Sequence, residues 1–179
     1  QISRTHRIDP ARIYVAGLSA GGAMATLVGN AYPELFAAVG IHSGLPRGAA
    51  QDIPSAFAAM HGGAPHMPTA HGGASTCNPI PVIVFHGDAD QTVNPRNGEQ
   101  ALAQCMAQSG ASEDISRSAN DAGGHAYTRK VWRRADGETI AEHWVVHGAG
   151  HAWSGGSSRG SFTDPRGPDA SKEMLRFFL

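Results

Sequence analysis

Ile13-Tyr14-Val15-Ala16-Gly17-Leu18-Ser19-Ala20-Gly21-Gly22 is the stretch that decides the fold class. A β-branched and aromatic run ends in Gly-x-Ser-x-Gly, and a helix of small residues follows at once. A turn this tight between strand and helix leaves no room for bulk on its flanks. Gly17 and Gly21 are therefore expected to let strand and helix approach, while Ser19 Oγ is pushed into the open. Ala20 opens the helix. Its backbone N–H lies in the first turn, has no intrahelical partner, and can point at an oxyanion. In a chain with 23 glycines the five-residue motif alone is weakly specific, so the remainder must carry the argument.

Upstream, Gln1 to Arg7 is polar and reads as the tail of a helix. Asp9-Pro10 breaks it, because a residue before proline is pushed out of the α region. Downstream, Met24, Leu27, Val28 and Ala31 recur at helical spacing until Tyr32-Pro33. Ala37 to Ile41 reads as a short buried strand, and Ile80 to Phe85 as an almost unbroken apolar one. Asn94-Pro95 starts a helix, with Asn as cap and a face of Ala101, Leu102, Cys105 and Met106. A polar linker follows. Ala126 to Arg134 and Thr139 to Val146 then flank Asp136-Gly137, a strong hairpin signal. Asp169 caps a last helix with the face Ala170, Met174 and Phe177-Phe178. These units predict an α/β fold: a mostly parallel sheet flanked by helices.

Residues 44–78 stand apart, rich in Gly, Pro, Ala and His, with a weak helical patch around Ile53 to Met60. Long loops of this kind usually carry function, so the segment is expected to be a lid or substrate-facing insertion. It holds His61, His66 and His71. Apart from Cys77 it has no Cys or carboxylate at ligand spacing, so no metal is expected, and no cofactor.

The length of 179 residues suits one domain over residues 1–179. A hydrophobic share of 41% and a formal charge of −1 argue against a disordered chain. No apolar run reaches the ~18 residues of a membrane span, and no Lys/Arg stripe points to nucleic acid. Cys77 and Cys105 leave three states open: an intrachain disulfide, buried free thiols, or a bridge to another chain.

Two strand ends carry the chemistry. Phe85 is followed by His86-Gly87-Asp88-Ala89-Asp90, and Val146 by His147-Gly148-Ala149-Gly150-His151-Ala152-Trp153. In an open parallel sheet the crevice lies beyond the carboxyl ends of the strands, where Ser19 also sits. A serine hydroxyl attacks well only when a base takes its proton. An imidazole can take that proton, and a buried carboxylate orients the imidazole. Asp90 is preferred over Asp88, which reads as a turn-former next to Gly87. His151, on a loop after Gly-Ala-Gly, is preferred over His147, which reads as a structural histidine. His42, His86 and Trp153 are the candidate substrate contacts; satisfied core groups are the alternative for the histidines, and packing for Trp153.

Together, Ile8-Asp9-Pro10, Gly17-Leu18-Ser19-Ala20-Gly21-Gly22-Ala23-Met24, His86-Gly87-Asp88-Ala89-Asp90 and Gly150-His151-Ala152-Trp153-Ser154-Gly155-Gly156 resemble the poly(3-hydroxybutyrate) depolymerase-type esterases. These are α/β-hydrolases related to feruloyl and acetylxylan esterases. The likeness extends over Asn94-Pro95-Arg96-Asn97-Gly98 and Thr163-Asp164-Pro165-Arg166-Gly167. It implies Ser19, Asp90 and His151 as a triad, Ala20 N–H as an oxyanion donor, an ester substrate, and a secreted or periplasmic location.

The resemblance also implies that the chain is the carboxyl-terminal part of the fold, since only twelve residues precede Ile13. A second oxyanion donor is then expected from a preceding segment or a second chain pairing at the edge of strand 13–17. Two other readings stand beside the esterase: a non-catalytic binding module that keeps the elbow, and a histidine-rich metal binder.

Overall fold

The computed structural model describes residues 2–64, 80–106, 111–118 and 123–179. Six strands form the main sheet: β1 (Tyr14–Leu18), β2 (Ala38–His42), β3 (Val82–Gly87), β4 (Ser112–Ser118), β5 (Tyr127–Arg133) and β6 (Thr139–Val146). Their order is β1-β2-β3-β6-β5-β4. The first four neighbours in that order run parallel, and β5 and β4 add antiparallel. Parallel neighbours need crossovers, and helices supply them. α2 (Ala20–Ala31) lies between β1 and β2, α3 (Ile53–Gly62) between β2 and β3, and α4 (Arg96–Met106) in the connection from β3 to β6. α1 (Ile2–Thr5) precedes the sheet and α5 (Ala170–Phe178) follows it. A small second sheet pairs β7 (Trp153–Ser154) with β8 (Thr163–Asp164).

Alternation along β3 divides the core. Val82 and Val84 pack with Ala25 of α2 and with Ala101 and Leu102 of α4. Ile83 and Phe85 face the other way, onto Trp144 of β6 and onto Ala170 and Met174 of α5. Burying each such side chain contributes about 1.5–3 kcal/mol, so β3 anchors both layers. Its carboxyl end is thus a rigid base for the loop that follows.

The face of α2 differs from the expected one. Met24 and Leu27 point outward, while Gly22, Ala25, Thr26 and Gly29 are buried. A Cβ on Gly29 would lie 2.4 Å from Val39 Cγ2, so the helix rides too close to β2 for large residues. Close approach overrode the apolar periodicity.

β4 occupies part of the expected polar linker. Its Ser-Glu-Asp-Ile-Ser-Arg-Ser sequence suits a sheet edge, where charge blunts further pairing. Lys130 and Glu113 pair across it at 3.3 Å.

Within the 44–78 insertion, residues 44–64 are described, and they are ordered by specific bonds. Asp52 and Ser55 form a reciprocal capping box at the start of α3. Asn97 Nδ2 donates to Ala59 O at 2.9 Å, and Gln100 both accepts from Ala64 N at 2.8 Å and donates to Ala64 O at 3.1 Å. The helical patch is therefore docked on α4. His66, His71 and Cys77 lie outside the described residues. Among the described residues Cys105 is a free thiol, no group of three ligand-type side chains gathers to hold a metal, and no helix is long and apolar enough to cross a membrane.

Candidate active site

Ser19 sits between β1 and α2 with φ 57° and ψ −119°, a backbone that non-glycine residues rarely adopt. Two bonds hold it there: Ser19 N–H donates to His42 O at 2.9 Å, and Ala23 N–H donates to Ser19 O at 3.0 Å. A Cβ on Gly17 would lie 2.3 Å from the carbonyl carbon of Gly21, so the turn closes backbone against backbone. A Cβ on Gly21 would meet nothing within 4 Å. The steric demand expected of both flanking glycines falls on Gly17. Ala20, first residue of α2, is exposed, with its N–H at the open end of the helix.

The loops after β3 and β6 are in main-chain contact. Ala89 N–H donates to Ala149 O at 3.1 Å and Asp88 N–H to Val146 O at 3.1 Å. A Cβ on Gly87 would lie 2.2 Å from Ala149 O. This closeness brings Asp90 to His151: Nδ1 of the imidazole donates to Asp90 Oδ2 at 2.7 Å. Asp90 Oδ1 accepts from Thr92 N and Val93 N, each at 2.9 Å. Burial alone would raise the Asp90 pKa. Hydrogen bonds from His86, Val93, His151 and Thr92 outweigh it and hold the carboxyl well below the usual range. An ionised carboxylate only accepts, so the proton of neutral His151 sits on Nδ1 and leaves Nε2 as the basic nitrogen. Among the described residues no hydrogen bond joins Nε2 to Ser19 Oγ. Such links are often long in unliganded sites and tighten with substrate.

Asp88 and His147 form a second pair one step outward. His147 Nδ1 donates to Asp88 Oδ2 at 2.8 Å, and Gly148 N–H donates to Asp88 Oδ1 at 2.6 Å. His147 Nε2 is 2.9 Å from Thr128 Oγ1. This half-exposed cluster ties the β3 loop, the β6 loop and β5 together.

His42 and His86 are each 1% exposed and stand behind the site, which corrects their expected contact with substrate. His86 Nε2 donates to Val93 O at 2.8 Å and lies 3.5 Å from Asp90 Oδ2. His42 Nε2 accepts from Ser154 N–H at 2.9 Å. Trp153 is half-buried, stacks on His42 at 5.2 Å between centroids, and donates from Nε1 to Ser171 Oγ at 3.1 Å. Much of that ring serves packing. A groove of about 370 Å³ between α4 and the β5–β6 strands is lined by Leu102, Met106, Trp132 and His143, among others, and by none of Ser19, Asp90 and His151.

The family model described as Esterase PHB depolymerase matches residues 1–140. The chain belongs to that family. It is 36% identical over 155 residues to poly(3-hydroxyalkanoate) depolymerase C of Paucimonas lemoignei, covering 82% of this chain and 36% of that protein. It is 29% identical over 186 residues to feruloyl esterase B of Neurospora crassa, covering 97% and 57%. A PHB depolymerase from Penicillium funiculosum superposes with a TM-score of 0.68 at 19% identity, covering 96% of this chain and 52% of that one. An acetyl xylan esterase from Aspergillus awamori gives 0.64 at 20%, covering 98% and 63%. The fold is thus that of the α/β-hydrolase esterases. The chain spans between about a third and three fifths of the lengths of these relatives.

Several features of the site had no sequence signal. The Ser154–His42 bond joins residues 112 apart, and nothing in either motif announces it. His125 Nε2 and Asp164 Oδ2 meet at 2.7 Å and fasten β8 below the β6 loop, again without a local pattern. The doubled Asp–His arrangement was visible only as spacing: two aspartates after β3, two histidines after β6.

Proposed function

We propose that this chain carries the reacting residues of a serine esterase that hydrolyses hydroxyalkanoate esters, with Ser19 as nucleophile, His151 as base and Asp90 as its orienting carboxylate. The observation that carries the reading is the 2.7 Å Asp90–His151 bond, taken together with a serine held in a strained strand-to-helix turn. In the first step the Ser19 hydroxyl proton passes to His151 Nε2, Oγ bonds to the ester carbonyl carbon, and the carbonyl electron pair moves onto oxygen. Collapse expels the alkoxide, which takes the proton from His151 and leaves an acyl-enzyme. Water repeats the sequence and frees the acid. Asp90 stays ionised and stabilises the imidazolium.

Ala20 N–H supplies one hydrogen bond to the oxyanion. A second donor comes, in this proposal, from a preceding segment or a second chain added along β1, the outermost strand of the sheet. Loss of one such donor costs about 2.7–4 kcal/mol of transition-state stabilisation. Ile53 and Phe57, both exposed on α3, give the 44–78 insertion an apolar surface suited to a polyester. The carboxyl end of α3 leans on the Asp90 loop through Asn94 N–H to Met60 O at 2.7 Å. Action on polymeric ester outside the cytoplasm belongs to the same proposal.

A fluorophosphonate probe and a panel of hydroxybutyrate oligomers, feruloyl sugars, acetylated xylan and short p-nitrophenyl esters test it. Labelling of Ser19 that slows in His151→Ala, with release of 3-hydroxybutyrate, is expected. Hydrolysis of feruloyl or acetyl esters alone overturns the substrate class. Absence of labelling and of turnover throughout overturns the enzyme and favours a binding module.

A further inference from the structure

We propose that His42 is the positioning residue that sets the reach between Ser19 and His151, its backbone holding the nucleophile turn and its ring holding the loop that carries the base. The inference rests on the esterase reading above for its catalytic consequence, and on geometry alone for the clamp.

His42 ends β2, and its two ends face two different parts of the site. The carbonyl accepts the Ser19 N–H at 2.9 Å, which pins the strained turn. Ring Nε2 accepts the Ser154 N–H at 2.9 Å, three residues beyond His151. A nitrogen that accepts an N–H carries no proton, so the ring proton lies on Nδ1. From there it is donated to Ser43 Oγ at 3.1 Å. Both ring nitrogens are therefore used, and the tautomer is fixed by its partners.

Stacking fixes the plane. The ring lies between Phe85, 5.8 Å away and 15° from parallel, and Trp153, 5.2 Å away and 27° from parallel. Phe85 belongs to the most buried strand, so the platform is rigid; Trp153 belongs to the base loop itself. The chain then leaves β2 through Ser43 at φ 47°, an unusual backbone for a non-glycine residue. Burial, with His86 and His151 nearby, pushes the His42 pKa down to about 3, against the raising influence of Asp90. The acceptor role of Nε2 thus persists through the neutral and mildly acid range.

The loop after β6 is moored at its root by the Asp88–His147 pair and by main-chain bonds to the β3 loop. Further out it has two side-chain moorings at the site. One is the Asp90–His151 bond, which belongs to the reaction. The other is His42, which does not take part in it. Ordinary loop freedom would vary the nucleophile-to-base distance by an ångström, and misplacement on that scale costs about 100-fold in rate. A buried ring bonded at both nitrogens removes that freedom.

The test compares His42→Gln with His42→Leu in the full-length protein. Gln places an amide oxygen near the Nε2 position and keeps an acceptor for Ser154; Leu fills the space without one. With a short p-nitrophenyl ester, His42→Leu is expected to lose about 30–100-fold in kcat with KM within threefold. Fluorophosphonate labelling of Ser19 should slow in parallel, and His42→Gln should recover most of both. His42→Leu with kcat within threefold of the parent, or His42→Gln as slow as His42→Leu, overturns the proposal. Imidazole nitrogen-15 shifts and Ser154 amide exchange in the unmutated protein give a readout that needs neither variant to fold. An Nδ1–H tautomer and a protected Ser154 amide are expected; an Nε2–H tautomer overturns the clamp. A parent protein that shows this tautomer but never labels at Ser19 overturns the esterase reading and leaves the clamp standing.

Discussion

Asp90 and His151 meet at 2.7 Å through one carboxylate oxygen, while the other oxygen is fully engaged by the backbone N–H groups of Thr92 and Val93. The carboxylate cannot rotate without breaking two backbone bonds, so it presents a fixed acceptor to the imidazole. Asp90→Asn keeps the shape and the backbone bonds but offers an N–H where the acceptor was. His151 would then accept at Nδ1 and carry its proton on Nε2, the wrong nitrogen for a base. The expected loss is about 10⁴-fold in kcat with little change in melting temperature. Steady-state kinetics beside a thermal melt checks this, and a kcat within tenfold of the parent would contradict it.

Two buried histidines predict how stability follows pH. Burial lowers His42 to about 3 and His143 to about 4, with His86 adding to both and Lys130 to His143. Below the unfolded value of about 6.5 the unfolded chain binds protons that the folded chain refuses, so stability falls as pH falls. Each group contributes a slope of about 1.4 kcal/mol per pH unit between its two pKa values. Urea unfolding from pH 6.5 to 4 should show the decline, and His143→Gln should remove about half of it. A flat profile in the unmutated protein would refute the account.

The elbow's two glycines should behave oppositely. Gly17→Ala drives a Cβ to within 2.3 Å of the Gly21 backbone, and main chain cannot give way there. Separation of β1 from α2 is expected, with loss of Ser19 labelling and destabilisation of about 3 kcal/mol or more. Gly21→Ala meets open space inside a helix, where Ala is favoured over Gly by about 1 kcal/mol. It should be neutral or slightly stabilising. Equal melting temperatures for the two variants would refute the asymmetry.

The same contrast shows what the sequence could convey. Strands β2 and β3 and the faces of α4 and α5 follow from local pattern because each buries a stripe or an unbroken run, while β1 and the Asp136-Gly137 hairpin follow from β-branched composition and turn chemistry. The face of α2 did not, since the helix packs on small residues, and closeness to Val39 decides orientation. Nor did β4, whose polar residues are stable only because β5 offers an edge. At the site, the turn position of Asp88 and the loop position of His151 after Gly148-Ala149-Gly150 singled out Asp90 and His151, and the structure brings those two together. The burial of His42 and His86 was not legible: a histidine ending a strand looks the same whether it faces the crevice or the core. Only their partners distinguish the two: Ser154, 112 residues from His42, and Val93, seven residues from His86.

Glu142 gives the last prediction, on a cluster that no motif announced. Its side chain is wholly buried on β6, yet it accepts from Arg129 Nε at 3.1 Å and Nη2 at 2.5 Å, from Trp144 Nε1 at 2.9 Å, and from Arg176 Nη2 of α5 at 2.7 Å. Burial alone would raise its pKa; bonds from Arg129, Trp144 and Arg176 reverse this and lower it. A carboxyl lowered in the folded state adds stability above its unfolded pKa, and that contribution is lost as pH falls through the folded value. Its window therefore opens from about 4.3 downward, overlapping the acid end of the histidine window. Arg129→Met leaves the buried carboxylate with Arg176 and Trp144 alone and should cost on the order of 3 kcal/mol at pH 7. Arg176→Ala, at a more exposed side chain, should cost less. The joint variant Arg129→Met with Glu142→Gln should be more stable than Arg129→Met alone, because no uncompensated charge remains inside. Equilibrium unfolding of the three variants decides it, and a joint variant weaker than Arg129→Met would show that the cluster is held by something other than its charge.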